Sequence, residues 1–599
     1  MKEVCSHSLS EKRWFLRAHE EARVLSFMQK LNISPTLARL LVMRGIDLGV
    51  APLFLEPSLR HHLPDPLLLK DMDKTIGRLL QAIAAREKIL VWGDYDVDGA
   101  TSSALLCRFF RSLNLTIALY IPDRIKEGYG PNIQGIEKFK AQGYTVMVTV
   151  DCGTTSFEAL EAANGLDVIV LDHHAAEAKL PPAYAIVNPN RLDEREEVTQ
   201  TLGHLAAVGI SFLCVVALNR ALRQSGFYKD LKEPNLLALL DLVALGTVCD
   251  VMPLTGLNRT FVTQGLKVMA ARNNVGLRAL ADRAGMDASP TPYHLGFILG
   301  PRINAGGRVG ESFLGARLLS TENQEEAFEI AQKLDHYNQE RRILEAETLD
   351  QALLQVNPEA SALIVDRKGW HEGVIGIIAG RLKEKFHKPT AVITWNEEGI
   401  GKASARSISG FDFGRFIHKA HHLGFVLKGG GHAMAAGFSL TKDQLPLLKS
   451  FLSDELKRLS HEVDLRPTLL CDGYLDLRSI TTEFMDAIKA LAPFGMGNPN
   501  PKFIFTDVMV QSYQLIKDQH LRCRFSQGDG VVLEGMGFRL KDSSLGTVLM
   551  DGSRRPLDLI ASPKVDTWGG KIKITLMIED ATFASSQALL RSREKSVLE

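Results

Sequence analysis

The sequence predicts an α/β protein of several domains, with a parallel sheet in its first half. Three observations carry that prediction. From Lys88 onward, short apolar runs alternate with amphipathic stretches, the pattern of βαβ units. Acidic segments beginning at Asp94, Asp151 and Asp172 follow such runs directly. The 599 residues also exceed what one hydrophobic core usually holds.

Residues 1 to about 75 read as helices and loops, with apolar positions at helical spacing over 38–42 and prolines over 52–66, and are expected to form an N-terminal cap. Strands are expected at 89–92, 146–150, 168–171 and 185–187. In a sheet of this kind crossovers are right-handed, and ligands collect beyond the carboxyl ends of the strands, where these acids fall. A helical stretch follows over 235–248, then a loop region containing 300–308. Residues 323–355 carry many charges and neither Gly nor Pro, so they should form one long connecting helix with charge pairs four apart. A second α/β pattern appears at 362–366 and 390–394, with a Gly-rich segment near 429–437. From Leu465, short alternating runs at 502–505, 522–525 and 572–577 predict a small antiparallel β domain with some helix.

Hydrophobic residues make up 45% and charged residues 23%, ordinary for a folded soluble protein. Lys+Arg and Asp+Glu balance at 70 each, so nucleic-acid binding would need a local groove of positive charge. The seven cysteines are scattered without a C-x-x-C pair, mostly in apolar surroundings where reduced thiols pack, which points to the cytoplasm. No signal-peptide stretch follows Met1, and no run reaches the ~18 uncharged apolar residues of a membrane span. The absence of a Walker A sequence and of a strand-linked G-x-G-x-x-G removes support for motor action and dinucleotide cofactors.

Asp94, Asp96 and Asp98 alternate, so on an extended backbone they would share one side. Asp-x-Asp-x-Asp-Gly also opens a calcium EF-hand loop, but the twelfth position is Leu105 instead of Glu, and the preceding segment is strand-like. Asp151 or Asp172 alone would read as a helix N-cap. Together with His173-His174 and Asp250 they suggest a dinuclear site, whose Asp and His donors favour Mn²⁺ or Mg²⁺ over structural zinc. Cys152 and Cys249 adjoin these donors and read as packing residues. Two divalent ions ~3.5–4 Å apart bind hydroxide and stabilise the entering and leaving oxygens of an in-line displacement, so phosphoester hydrolysis is the natural reaction. Arg124, Arg302, Arg308 and Arg406 lie in Gly-, Ser- or Pro-rich segments where a guanidinium can fork onto phosphate, and Gly430-Gly431-His432 offers backbone N–H groups to an anion.

The segments 93–99, 150–153, 172–174 and 245–250 resemble the successive motifs of the DHH phosphoesterase superfamily. Segments 300–308, 370–376, 404–407 and 430–437 look like those of its RecJ-type, single-strand-specific DNA exonucleases, and the resemblance covers roughly residues 75 to 580. It implies 5′-to-3′ hydrolysis of single-stranded DNA to mononucleotides in repair and recombination, with two divalent ions, Mn²⁺ or Mg²⁺. Carried over by motif, Asp94, Asp96 and a bridging Asp151 would hold one ion, and Asp98, Asp151, His173 and Asp250 the other. His174 would contact the scissile phosphate, with Asp96, Asp98, Asp151, His173 and Asp250 completing the catalytic set. Arg124, Arg302, Asn304, Ser404, Arg406 and His432 would line the 5′-phosphate pocket and the path of the strand. One departure is Trp92, where much of the superfamily has a His four residues before Asp96; Asp94 or water then fills that ligand position.

The expected organisation is an N-terminal helical cap over 1–75, a DHH catalytic domain with the parallel sheet over 76–260, and a helical region with the connecting helix over 261–355. A DHH-associated α/β domain follows over 356–462, an OB-fold-like single-strand-binding β domain over 463–585, and a tail over 586–599. Single-stranded DNA is the expected partner, delivered by a single-strand-binding protein and a helicase. A small-substrate relative would lack the extension after Leu465, and a non-catalytic scaffold would have lost acidic positions that are all intact.

Overall fold

Short, almost wholly apolar strands set the frame of the catalytic half, because a parallel sheet covered on both faces is built from continuous hydrophobic runs. In the computed structural model, which describes residues 1–124, 126–528, 530–551, 555–568 and 571–584, five such strands lie side by side. Their order is Ala118–Tyr120, Ile89–Gly93, Val146–Val150, Asp167–Leu171 and Ala185–Val187, and every neighbouring pair is parallel. The first was not anticipated: three half-buried residues at a sheet edge leave no apolar run to read. Ile89 and Val91 face a core shared with Ala207–Gln224 and Val97–Ser112, while Leu90 and Trp92 face a second core with Ile136, Phe139 and Met147. Ala207–Gln224 is long and apolar enough to cross a bilayer, yet 72% of that span is buried inside the protein, where it is a core helix.

Strands of one direction deliver their carboxyl ends to one edge, and Asp94, Asp151 and Asp172 follow three of them there. The fourth acidic segment arrives on the helix Leu240–Cys249, whose last turn ends at Asp250. That helix packs on Val97–Ser112 through Gly246, where an added Cβ would lie 2.4 Å from Thr101 Oγ1 and 2.9 Å from Asp98 Oδ1.

Two expectations need correction. Asp94, Asp96 and Asp98 do not lie on an extended backbone: Asp96 is the N-cap of Val97–Ser112, and Asp98 is in that helix's first turn. The segment 300–308 is not a loop but the helix Gly300–Val309, entered from a π-turn over His294–Leu299. Its Pro301 follows directly on that π-turn, and at Gly307 an added Cβ would lie 2.9 Å from the Tyr95 carbonyl oxygen. Its small residues therefore reflect close packing.

The connecting helix spans Gln324–Leu353, capped by Asn323, whose side chain accepts from the N–H groups of Glu325 and Glu326. It leads to a second sheet in the order Lys428–His432, Ala435–Thr441, Ile400–Arg406, Thr390–Trp395 and Leu363–Lys368, parallel only between the last two. All of this belongs to one compact unit, Pro57–Leu459 with Gly495–Gly497.

Met1–Glu56, Ser460–Phe494 and Asn498–Glu599 form the other unit. Its six-stranded sheet curls until Phe503–Ile516 pairs with both His520–Gln527 and Leu557–Trp568, around Phe503, Phe505 and Phe525. The expected cap over 1–75 is thus divided, and it is not purely helical. Lys2–Cys5 pairs with Arg13–Leu16, which runs parallel to Thr468–Cys471, and buried Trp14 donates to Asp580 Oδ2 at 2.9 Å. Only the helical residues were foreseen, as Pro35–Met43, because a four-residue strand whose partner lies far along the chain carries no local pattern. The expected tail, 586–599, lies outside the described residues.

Replacing Gly246 with Ala should destabilise the protein by about 1–3 kcal/mol, because overpacking between two core helices outweighs the ~1 kcal/mol gained in helix propensity. Urea unfolding of the two proteins side by side measures the difference, and an unchanged midpoint would contradict it.

Candidate metal centre

Each acid is fixed by the backbone around it. Asp96 Oδ1 accepts from the N–H groups of Asp98 and Gly99 at 2.8 and 3.1 Å, so it caps the helix while its other oxygen stays free of that task. Asp98 accepts from Ala207 and Val208 N–H at 2.6 and 3.0 Å, at the amino end of Ala207–Gln224, where the helix dipole favours a negative group. Asp151 has a left-handed backbone, φ 61°, and its carbonyl accepts from the Tyr129 hydroxyl at 2.9 Å. Asp172 accepts from the backbone of Thr154, His173 and His174 and from His174 Nδ1.

The side chains converge. Asp94, Asp96 and Asp151 each bring an oxygen within 4.8 Å of the others, and Asp98, His173 and Asp250 form a second such group. His173 Nε2 joins them, 3.3 Å from Asp151, 3.6 Å from Asp250 and 4.0 Å from Asp98. Buried Asp94 Oδ1 and Asp250 Oδ2 have no hydrogen-bond partner among the described residues. Unpartnered buried carboxylate oxygens at the heart of an acid cluster are what divalent cations require, so the donor set fits two hard cations sharing Asp151.

Electrostatics separates the two histidines. Burial, then repulsion from His174, lowers His173 to about 4, which leaves its ring neutral with a lone pair to donate. Burial also works against charge on His174, but its hydrogen bond to Asp172 and that carboxylate's charge prevail and raise it to about 9. A cationic ring already bound at Nδ1 is a poor ligand, so the grouping of Asp151, His173 and His174 is less apt for a cation than the other two. His174 suits an anion instead. The clustered carboxylates shift upward too: burial first, then one another's charge, raises Asp98 to about 7 and Asp250 to about 9 and holds Asp94 and Asp151 well above the usual range.

A wall of guanidinium groups belongs to the same site. Arg124 lies 4.8 Å over the Tyr95 ring. Arg308 donates to the Gly373 carbonyl and is lowered to about 10 by burial and then by the charges of Arg124, Arg341 and Arg406, with Asp96 opposing. Arg406 donates to Ser404 Oγ at 3.2 Å, both pointing from one face of Ile400–Arg406. His432 is exposed on the edge strand Lys428–His432 of that sheet.

The structure does not bring Arg302 into this wall. Its Nε is 2.9 Å from Asp335 Oδ1 and its Nη1 donates to Ile298, because residues six apart on a helix face different ways and Arg308 takes the inner one. Asn304, four residues before Arg308, shares that inner face and is half-buried. Trp92 is fully buried against Tyr120 and Phe139, so the ring fills a core, while Asp94 lies in the acid cluster. Sequence reasoning missed Arg341, hidden on a charge-rich helix, and Tyr129, whose hydroxyl is 3.3 Å from His174 Nδ1.

Fold and site together define a metal-dependent phosphoesterase. Residues 88–247 match the DHH family N-terminal domain, 359–458 the DHHA1 domain and 471–580 the RecJ OB domain. The chain belongs to the RecJ family of single-stranded-DNA-specific exonucleases. It is 33% identical over 587 residues to RecJ of Bacillus subtilis, covering 96% of this chain and 72% of that protein. It is 36% identical to RecJ of Dickeya dadantii, covering 88% and 92%. The Thermus thermophilus RecJ structure in complex with Mn²⁺ superposes with a TM-score of 0.80 at 27% identity, covering 96% of this chain and 80% of that one.

Without cations, the folded protein retains protons at Asp98, Asp250 and His174 that the unfolded chain, with ordinary pKa values near 4 and about 6.5, has already released. Raising the pH from about 6.5 to about 9 therefore favours unfolding; the opposite contribution of His173 falls below that window. Chelated protein should show a falling Tm across this range, and added Mn²⁺ should restore most at the alkaline end. A Tm that is flat or rises with pH would contradict the assignment.

Proposed function

We propose that this chain hydrolyses the phosphodiester bonds of single-stranded DNA from the 5′ end, releasing mononucleotides with the help of two divalent ions, Mn²⁺ or Mg²⁺. One observation carries the reading: two adjoining groups, Asp94, Asp96, Asp151 and Asp98, His173, Asp250, face a wall of arginines. Asp94, Asp96 and Asp151 would hold one ion, and Asp98, His173 and Asp250 with shared Asp151 the other. When bound, the ions activate a water and stabilise the charge that develops on the phosphate oxygens.

The chain's own residues do the rest. His174, kept cationic by Asp172 and steadied by Tyr129, donates to a non-bridging oxygen of the scissile phosphate. Arg124, Arg308 and Arg406, with Ser404, Asn304 and His432, receive the terminal phosphate and the first nucleotides, so a 5′-phosphorylated end is the one that reaches the carboxylates. We assign residues 76–260 to catalysis, 356–462 to substrate binding and 463–585 to holding the strand, with 261–355 connecting them. Seven unpaired cysteines suit a reducing compartment, and we place the protein in the cytoplasm, supplied with single strands by a helicase and a single-strand-binding protein.

End-labelled digestion tests the reading. With Mn²⁺, a 5′-labelled single strand should release labelled mononucleotide at once, a 3′-labelled one only late, and duplex almost none; chelator or Asp151→Asn should abolish release. Early loss of a 3′ label, or full activity of Asp151→Asn, would overturn it. Arg406→Ala should cost about tenfold or more in kcat/KM on 5′-phosphorylated strands relative to 5′-hydroxyl strands, the loss of a charge-assisted contact. An unchanged ratio would remove Arg406 from the terminal-phosphate pocket.

A further inference from the structure

Between Pro292 and the helix Gly300–Val309 the chain makes a single π-turn over His294–Leu299, with Gly300 N–H donating to the Leu295 carbonyl. Single π-turns recur at functional sites. On a helical turn residues four apart share a face. Tyr293 and Phe297 accordingly stack, their centroids 5.3 Å apart and their planes 23° from parallel. They are not packed against the core: Tyr293 is 62% and Phe297 72% exposed. Among the described ring pairs the other stacked one, Phe416 with Phe451, includes a buried ring.

The pair is anchored to the metal centre. Leu295 and Leu299 are fully buried beneath it, and the Leu295 carbonyl accepts from Cys249 Sγ at 3.4 Å. At Gly300 an added Cβ would lie 2.5 Å from that same sulfur. Cys249 immediately precedes Asp250, so the exposed rings ride on a turn clamped to the last carboxylate of the cluster. Positive charge lies alongside: Arg302 donates to the Ile298 carbonyl within the turn, and it shares Asp335 with Arg283, two guanidinium groups against one carboxylate.

We propose that Tyr293 and Phe297 are a base-stacking platform for the single strand that enters the metal centre, with Arg283 and Arg302 facing its phosphates. Paired aromatic faces beside a basic groove accept any base, since every base presents a π-face. The inference rests on the nuclease reading and adds a subsite to it. The pair would hold bases and take no part in bond cleavage, so its contribution falls on KM.

The test uses the full chain with Mn²⁺ and a long 5′-phosphorylated thymidine strand, intact or with a run of abasic sites. The double variant Tyr293→Ala, Phe297→Ala should raise KM for the intact strand about tenfold, the cost of roughly one lost base stack, with kcat unchanged. Abasic sites should raise the KM of the parent protein by a similar factor and that of the double variant little further. Tyr293→Trp should keep KM near the parent value, which a general disturbance of folding would not allow. A double variant with parental KM on the intact strand, or equally sensitive to abasic sites, overturns the platform and leaves the nuclease reading standing. Failure of the parent protein to digest either strand overturns both.

Discussion

Mutual repulsion among Asp94, Asp96, Asp98, Asp151 and Asp250 is the constraint on which the rest of this structure depends. Carboxylates this close cannot all ionise in a buried site without positive charge between them, and burial compounds the cost. A stable fold has to hold them together regardless. It does so with backbone: a capped helix start for Asp96 and Asp98, a left-handed residue at Asp151, a helix end at Asp250. None of these tethers uses a second side-chain cation, so the charge balance is left for metal ions to complete. The site is thereby built at some expense in stability, the usual condition of a centre prepared for chemistry.

The two histidines show how neighbours divide one chemistry. Identical rings side by side, with centroids 4.7 Å apart, are pushed in opposite directions: His173 down by burial and then by its neighbour's charge, His174 up by Asp172 against the pull of burial. Asp172 reaches His174 directly and keeps it charged, while His173, pointing at the acids and repelled by its neighbour's charge, stays neutral. A neutral ring with a lone pair to give and a cationic ring thus come from consecutive residues. The dipeptide is useful because Asp172 precedes it: burial works against that carboxylate's charge, but the hydrogen bond and charge of His174, with the contact from Thr154, hold it well below the usual carboxylate range.

Much of this was legible in the sequence, for physical reasons that also explain what was not. Buried parallel strands show themselves as apolar runs, and acids directly after them must lie at the sheet's carboxyl edge. The charge-rich stretch without Gly or Pro became the helix Gln324–Leu353 with the expected Asn323 at its head. Illegible features depended on distant partners. The strand Arg13–Leu16 is defined by Thr468–Cys471, and Arg341 matters only because folding brings it beside Arg308. The helix Gly300–Val309 was masked because its glycines, which serve close packing, look like loop residues until the neighbours are known. Arg302 and Arg308 were indistinguishable as letters, and helical geometry alone separates the one tied to Asp335 from the one in the pocket.

The parallel pairing of Arg13–Leu16 with Thr468–Cys471 also bears on how the protein is made. During synthesis Arg13–Leu16 waits for a strand made several hundred residues later, whereas the two sheets within Pro57–Leu459 have all their strands before then. Assembly of the barrel-bearing unit is in this way deferred until Leu557–Trp568 and Lys571–Phe583 have been made. Until then the unpaired edge of Arg13–Leu16, with apolar Trp14 and Phe15, offers backbone groups to which another strand could pair.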